Sequence, residues 1–469
     1  MSDKKYYLGI DLGTSAVKGI LRSPGNDTRK ARQTYSDNSP AGWMDAIKKL
    51  IPALFTDLDG TVAAIGLSSQ VGTYVVNAHD VIGWYSDIGR DELRHIKSVI
   101  SEEDFIREIS MPHPDLISYP LPRLLYVQKQ YGTACEVVMP KEIIVRKLTD
   151  QTVTDVFSMR GIADPIRVRY ADALMTRLGI GLKLPPLKTP FDIAGYITEQ
   201  AAAEYGLPCG IPVYLGCNDF FAGLLGMGIC NAGDAFDLSG TSEHVGYISD
   251  TLNPSGCVSG PYFNGFCTYG GTKSSGASCN FAIENFGLDA VDVKASLQKD
   301  TPIFLPYLNG ERAPIFDENA RGVYFGIGES TDKARLSYSA LEGVAFSLYD
   351  IWTRMELPAP TRMICGGGSA VNPTMNALRA SIFGCEIRTV RENDTSALGA
   401  CMIAMTGDGV YPDIRDAIRD CVEYTSSTAP DLTLSKVLKD RFEIYRELYV
   451  NLKDTFRKFN NTDLQRSRL

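Results

Sequence analysis

The chain opens on a strand, a glycine turn and a second strand, and the same three-part pattern restarts about halfway along. Tyr6 to Ile10 is mostly apolar, Asp11-Leu-Gly-Thr-Ser15 turns, and Val17 to Leu21 resumes a strand pattern, so the stretch reads as a hairpin. Ala235 to Leu238, Gly240-Thr-Ser242 and Val245 to Ile248 repeat it in degenerate form. Such a repeat is a clue to duplication. It suits a chain of 469 residues, which is too long for one hydrophobic core and fits two domains. No low-complexity linker divides the halves, so the restart places the boundary near Gly233, giving domains 1–233 and 234–469.

Between these hairpins the pattern alternates. Asp45 to Phe55 is read as a helix, Ala63 to Leu67 and Tyr74 to Val76 as strands, and Pro140 to Leu148 and Ala201 to Tyr205 as helices. Val213 to Leu215 is a buried strand running into Asp219, with a helix from Phe220 to Leu225. Leu336 to Met355 is apolar on most sides and predicts a long buried helix. Leu434, Leu438, Phe442, Tyr445, Leu448, Leu452 and Phe456 fall at helical intervals, and the polar Lys453 to Leu469 is expected to fray.

Composition narrows the partners. Net charge is −9 and the Lys and Arg residues are dispersed, so no broad basic face is offered to nucleic acid or an anionic membrane. No apolar run approaches the ~20 residues that span a bilayer, and the first strand-like run breaks at Asp11, too short for a secretory signal. Eleven cysteines without a CxxC pair read as reduced core residues of a cytoplasmic protein. His79, His95, His113 and His244 show no ligand spacing.

Three turns carry candidate chemistry. Asp11-Leu-Gly-Thr-Ser15 can aim backbone N–H groups and the hydroxyls of Thr14 and Ser15 at phosphate oxygens, with Asp11 holding hydrated Mg²⁺ and Lys18 offering a charge; an Asp-Gly turn also closes many ordinary hairpins. Gly240-Thr241-Ser242 offers a second cradle, or a plain turn. In Gly366-Gly367-Gly368-Ser369 the bare backbone lets a flat ring lie close. Neither a P-loop nor a dinucleotide fingerprint is present. Asp219 has two readings: a general base whose pKa is raised by apolar neighbours, or the N-cap of the helix that follows.

Taken in order, Leu8-Gly-Ile-Asp-Leu-Gly-Thr-Ser15, Gly216 to Gly228, Phe304-Leu-Pro-Tyr-Leu-Asn-Gly-Glu-Arg-Ala-Pro314, Asn319-Ala-Arg-Gly-Val-Tyr-Phe-Gly326, and Gly366-Gly-Gly368 through Ala397-Leu-Gly-Ala400 resemble the FGGY carbohydrate kinases. Phe304 to Gly326 is closest to the xylulokinase branch. The resemblance implies an α/β, actin-like ATPase (ribonuclease-H-like) fold with a nucleotide cleft between two domains. It also implies ATP and Mg²⁺ as cofactors, a small sugar as substrate, and often a homodimer. It carries the base role onto Asp219, phosphate contacts onto Gly13, Thr14, Gly240 and Thr241, Mg²⁺ assistance onto Asp11, and adenosine contacts onto Gly367, Gly368 and Asn372. Met139-Pro-Lys141 to Thr154-Asp155 resembles a supporting segment of the first domain.

The sugar pocket departs from the family. Xylulokinases read Gln-Met-His-Gly and glycerol kinases Gln-Arg-Glu where this chain has Gln70-Val-Gly72-Thr73, so Gly72 is expected to vacate the volume of a histidine. Phe220 stands where Asn or Gln commonly follows the base, and Trp-Asn-Asp-Gly-Arg becomes Trp84-Tyr-Ser-Asp87-Ile-Gly-Arg90. Gln70, Gly72, Thr73, Asp87, Arg90 and Phe220 are therefore the candidate sugar contacts beside Asp219. The expected activity is phosphorylation of a hydroxyl on a ketose such as xylulose, or on a related polyol or sugar acid. The other reading is a kinase-like sensor that binds sugar or nucleotide without turnover; retention of Asp219 and Asp11 favours catalysis.

Overall fold

The computed structural model describes residues 4–113, 115–240, 243–254, 257–287 and 291–461. The chain divides into two compact units: Met1–Cys230 with Gly260–Phe263 and Asp394–Val422, and Asn231–Ser259 with Asn264–Asn393 and Glu423–Leu469. The first crossing falls three residues before Gly233, but a single linear cut does not reproduce the units, because Asp394–Val422 returns to the first.

The first unit is built on a six-stranded sheet in the order Ile193–Tyr196, Pro212–Asn218, Thr61–Ser69, Lys5–Leu12, Ala16–Arg22, Thr28–Thr34. Lys5–Leu12 pairs antiparallel with Ala16–Arg22 and parallel with Thr61–Ser69, which is itself parallel to Pro212–Asn218. Parallel strands lie covered on both faces, and seven of the eight residues of Lys5–Leu12 are buried accordingly. Trp43, Ile47, Leu50 and Leu54 of the helix Pro40–Phe55 join this core.

The second unit repeats the plan. Six strands of its seven-stranded sheet lie wholly in this unit and run, in order, Gly265–Gly271, Glu243–Ser249, Ala235–Ser239, Arg362–Gly367, Glu386–Val390 and Tyr424–Thr428. Ala235–Ser239 is antiparallel to Glu243–Ser249 and parallel to Arg362–Gly367, which is parallel to Glu386–Val390. Antiparallel hairpin followed by two parallel strands is the pattern of the first sheet, so the duplication suggested by the two hairpins extends to the topology. Leu12 lies beside Ser69 in one sheet and Ser239 beside Gly367 in the other. Each hairpin turn therefore neighbours the turn that follows its parallel partner.

The helix Thr395–Gly407 belongs to the first unit because glycines let its backbone touch the sheet. A Cβ on Gly9 would sit 2.0 Å from the Ala397 carbonyl oxygen, and one on Gly66 2.0 Å from that of Ala400. Against the helix Asp219–Gly226 the same holds: a Cβ on Gly399 would lie 1.9 Å from Ala222 O, and one on Gly226 2.0 Å from Thr395 O. Four side-chain-free positions thus fix where the helix bearing Asp219 sits.

The long helices form as the periodicity predicts, over Lys333–Arg354 and Leu432–Asn460. The expected fraying from Lys453 is corrected for its described part: Phe456 is buried, and Asn460 Nδ2 donates to Asn319 O at 2.7 Å and Phe456 O at 3.0 Å, holding the helix through Asn460, while residues 462–469 of that segment lie outside the described residues.

Candidate active site

The strand Pro212–Asn218 ends by approaching its neighbour very closely. Gly216 has φ of +61°, and a Cβ there would lie 1.7 Å from Leu67 O. The chain then enters the helix Asp219–Gly226. Asn218 is its N-cap: Asn218 Oδ1 accepts from Phe221 N at 2.9 Å while Nδ2 donates to Phe157 O at 2.9 Å. The capping reading of Asp219 is therefore corrected, since its neighbour carries that load. Asp219 Oδ1 accepts from Phe220 N at 2.9 Å, and its backbone carbonyl accepts from Ser396 Oγ at 2.9 Å. Burial raises the Asp219 carboxyl from 3.8 to about 7, the charge of Asp11 adds to the rise, and the N–H groups of Phe220 and Val71 and the Lys18 ammonium oppose it.

Asp11 is buried beside it, and Ser68 Oγ donates to its Oδ1 at 3.0 Å. Its pKa is raised by burial and by Asp394, against the pull of Lys18 and Ser68. Lys18, opposite Asp11 in the hairpin, holds its ammonium 3.2 Å from Asp394 Oδ1. Asp394 and Ser396 were not legible as site residues; the only signal was a carboxylate and a hydroxyl ahead of Ala397-Leu-Gly-Ala400.

The first turn differs from expectation in one respect. The Gly13 N–H closes the hairpin on Ala16 O at 3.0 Å, so it is not presented to phosphate, and the Gly13 carbonyl accepts from the Tyr35 hydroxyl. Thr14 and Ser15 are exposed, and Thr14 Oγ1 accepts from Trp84 Nε1 at 3.2 Å.

Among the sugar candidates, Gln70 is buried. Its N–H donates to Leu12 O at 2.8 Å, its Oε1 accepts from Thr73 Oγ1 at 3.3 Å, and its buried Nε2 has no hydrogen-bond partner among the described residues. Thr73 Oγ1 accepts from Trp84 N at 3.2 Å. Gly72, with φ of +78°, leaves no histidine-sized gap: a Cβ there would meet Ser118 Cβ at 3.0 Å and Trp84 Cβ at 3.3 Å. That expectation is corrected, since Ser118 and Trp84 fill the space. Phe220 is half-buried at the helix start. Asp87 and Arg90 pair with each other at 3.1 Å on the surface, with side chains 85% and 50% exposed. Arg123, fully buried, holds the loop before them by donating to Ser86 O at 2.8 Å.

In the second unit Gly240 is exposed, and Thr241 lies outside the described residues. Gly366 is buried in its strand. Gly367 has φ of +84°, and a Cβ there would be 1.9 Å from Ser239 O, so the fold itself demands glycine. Gly368 has no atom within 4 Å of the Cβ position, which is the open surface a flat ring requires. Asn372 caps the helix Pro373–Phe383, its Oδ1 accepting from Met375 N at 3.1 Å.

These residues fit ATP and Mg²⁺ in kind. Gly368 leaves room for a base, Thr14 and Ser15 face outward, and the buried Asp11, raised by desolvation, is a carboxylate that a cation would stabilise in its charged form. Among the described residues no three His, Cys, Asp or Glu side chains converge as a ligand set, so phosphate oxygens and water would complete an ion's shell at Asp11. No helix of the described residues is long and apolar enough to cross a membrane.

The fold matches solved sugar kinases. A ligand-bound xylulose kinase from Lactobacillus acidophilus superposes with a TM-score of 0.86 at 24% identity, over 97% of this chain and 100% of that one. A gluconate kinase from the same organism gives 0.86 and 24% over the same shares. Their architecture is the actin-like ATPase fold. Residues 6–226 match the N-terminal and 238–407 the C-terminal domain model of the FGGY family of carbohydrate kinases. The chain belongs to that family and is a carbohydrate kinase, with ATP as co-substrate. Curated relatives include the xylulose kinase of Lactococcus lactis, 28% identical over 95% of this chain and 97% of that protein, and the gluconokinase of Bacillus licheniformis, 23% identical over 97% and 98%.

Proposed function

We propose that the chain transfers the γ-phosphoryl group of ATP to a hydroxyl of a ketose, with xylulose first among those to test and a related polyol or sugar acid next, and that Asp219 is the general base. The observation that supports this most is the Asp219 carboxyl itself: half-buried, relieved of capping by Asn218, and raised to about 7, near the pH at which a base is most effective. In phosphoryl transfer the protein positions reactants and stabilises charge while one carboxylate accepts the hydroxyl proton. Gln70 Nε2 is a buried donor open to a sugar hydroxyl, and Gly72, Thr73 and Trp84 shape the wall beside it. Asp87 and Arg90, exposed and paired with each other, are also proposed as sugar contacts. Asp11 would hold Mg²⁺, and Lys18, Thr14 and Ser15 would meet phosphate. Residues 1–233 would supply sugar and base, and 234–469 the nucleotide, through Gly240, Thr241, Gly366, Gly367, Gly368 and Asn372. No disulfide joins any of the eleven cysteines among the described residues, and most of them are buried, which supports a reducing cytoplasm. The homodimer of the family resemblance is likewise proposed.

A coupled ADP-release assay over pentuloses, hexuloses, polyols and aldonates tests the reading. We expect turnover on at least one ketose with Mg²⁺ and a kcat/KM for D-xylulose that does not lead the panel by ~100-fold, the scale that matched hydrogen bonds supply. A lead of that size would show that Val71, Gly72 and Phe220 do not alter specificity.

A further inference from the structure

Beneath the two turns of the second unit lies a fully buried charge cluster. Asp237, Glu243 and Arg379 are each 0% exposed. Asp237 stands in the strand ahead of the Gly240 turn, Glu243 opens the strand after it, and Arg379 projects from the helix Pro373–Phe383. Arg379 Nη2 donates to Glu243 Oε1, and Arg379 Nε lies 2.7 Å from Asp237 Oδ2, out of line for a hydrogen bond. Burial pushes the Asp237 carboxyl well up, whereas for Glu243 burial is outweighed by Arg379 and by donors from Asp237, Ser275 and Ser369, which leave it low. Burial thus favours the neutral form of Asp237, while Arg379 favours the charged form of Glu243 opposite it, and the cluster tends to neutrality in sum. Neutrality is what lets such a group persist without water.

Ser369, the residue after the glycine run, ties this cluster to both turns. Its N–H donates to Ser239 Oγ at 2.9 Å, and Ser239 Oγ in turn donates to Gly366 O at 2.9 Å. Its own hydroxyl donates to Glu243 Oε1 at 3.1 Å and accepts from Arg379 Nη2. Ser239 and Glu243 face each other across the hairpin, so they are the two feet of the Gly240 turn. Asn376 Nδ2 holds Ala370 O at 2.7 Å from the same helix as Arg379.

The geometry points to Ser369, seated on Glu243 and Arg379, as a positioning residue that sets the spacing between the Gly240 turn and the glycine run, and so the affinity for the nucleotide. This rests on the nucleotide reading of those turns. The Ser369 hydroxyl is dispensable to the neutrality of the cluster, because Arg379 and Glu243 contact each other directly; removing it should loosen the spacing without leaving a charge unpaired.

The test uses the full chain and MgADP as the probe, with calorimetric affinity, melting temperature and the KM values for ATP and for the best sugar of the panel. We expect Ser369→Ala to weaken MgADP binding and raise KM for ATP by about tenfold, the scale of one hydrogen bond to a charged group, with sugar KM, kcat and melting temperature near those of the parent. Ser369→Thr, which keeps the hydroxyl, should restore most of the affinity. Ser239→Ala should weaken binding similarly and add little on top of Ser369→Ala, because both act on one spacing. Unchanged MgADP affinity in Ser369→Ala would overturn the inference, as would a loss that tracks melting temperature and that Ser369→Thr does not restore. A parent chain that fails to bind MgADP would overturn the nucleotide reading itself.

Discussion

Replacing Asp219 by Asn should remove activity and yet stabilise the protein. The amide keeps the shape and its oxygen can still accept from Phe220 N, but it cannot take a proton from the sugar hydroxyl, so kcat should fall by ~10²–10⁴-fold, the usual worth of a general base. Stability should move the other way. The folded carboxyl is raised from 3.8 to about 7 by burial and then by Asp11, so the folded protein favours the protonated form. A raised carboxyl contributes its full stability below the unfolded value and loses it as pH rises through the folded one. The shift is about three units at about 1.36 kcal/mol each, a ceiling of about 4 kcal/mol that the half-buried position reduces to about 2. The variant should therefore match the parent near pH 4 and exceed it progressively to pH 8. Chemical denaturation across that range measures the gap, and single-turnover phosphorylation measures the chemistry. The parent's kcat should rise with pH toward a plateau above about 7. A variant less stable than the parent at pH 8 would place Asp219 among structural residues, and full activity would remove it from the mechanism.

Gly399→Ala should cost more than a typical overpacked core position, above about 3 kcal/mol by denaturant titration, because its Cβ meets the Ala222 carbonyl at 1.9 Å and backbone cannot rotate away; a loss under about 1 kcal/mol would show that the helix contact yields. Gly368→Val should weaken MgADP binding while leaving melting temperature unchanged, since no atom lies within 4 Å of its Cβ, whereas Gly367→Ala should lower melting temperature before any ligand is added; equal thermal effects in both would refute the distinction.

Much of the frame could be read without coordinates. Two hairpins, a buried strand running into Asp219 and a glycine run ahead of a helix are local patterns, set by turn chemistry and by periodicity over a few residues, and each lies where it was expected. Nothing local, however, tells which of Asn218 and Asp219 caps the helix: that depended on Asn218 finding Phe157 and Phe221. The fate of Gly72 likewise turned on Ser118 and Trp84. Asp394 and Ser396 reach the site only because Gly9, Gly66, Gly226 and Gly399 admit a helix from late in the chain against the first sheet. Strand and turn identity is written in neighbouring residues. Burial, and with it the pKa of Asp219 and Asp11, is made by segments that parallel connections bring together from far apart in sequence, so only the tertiary structure could decide it.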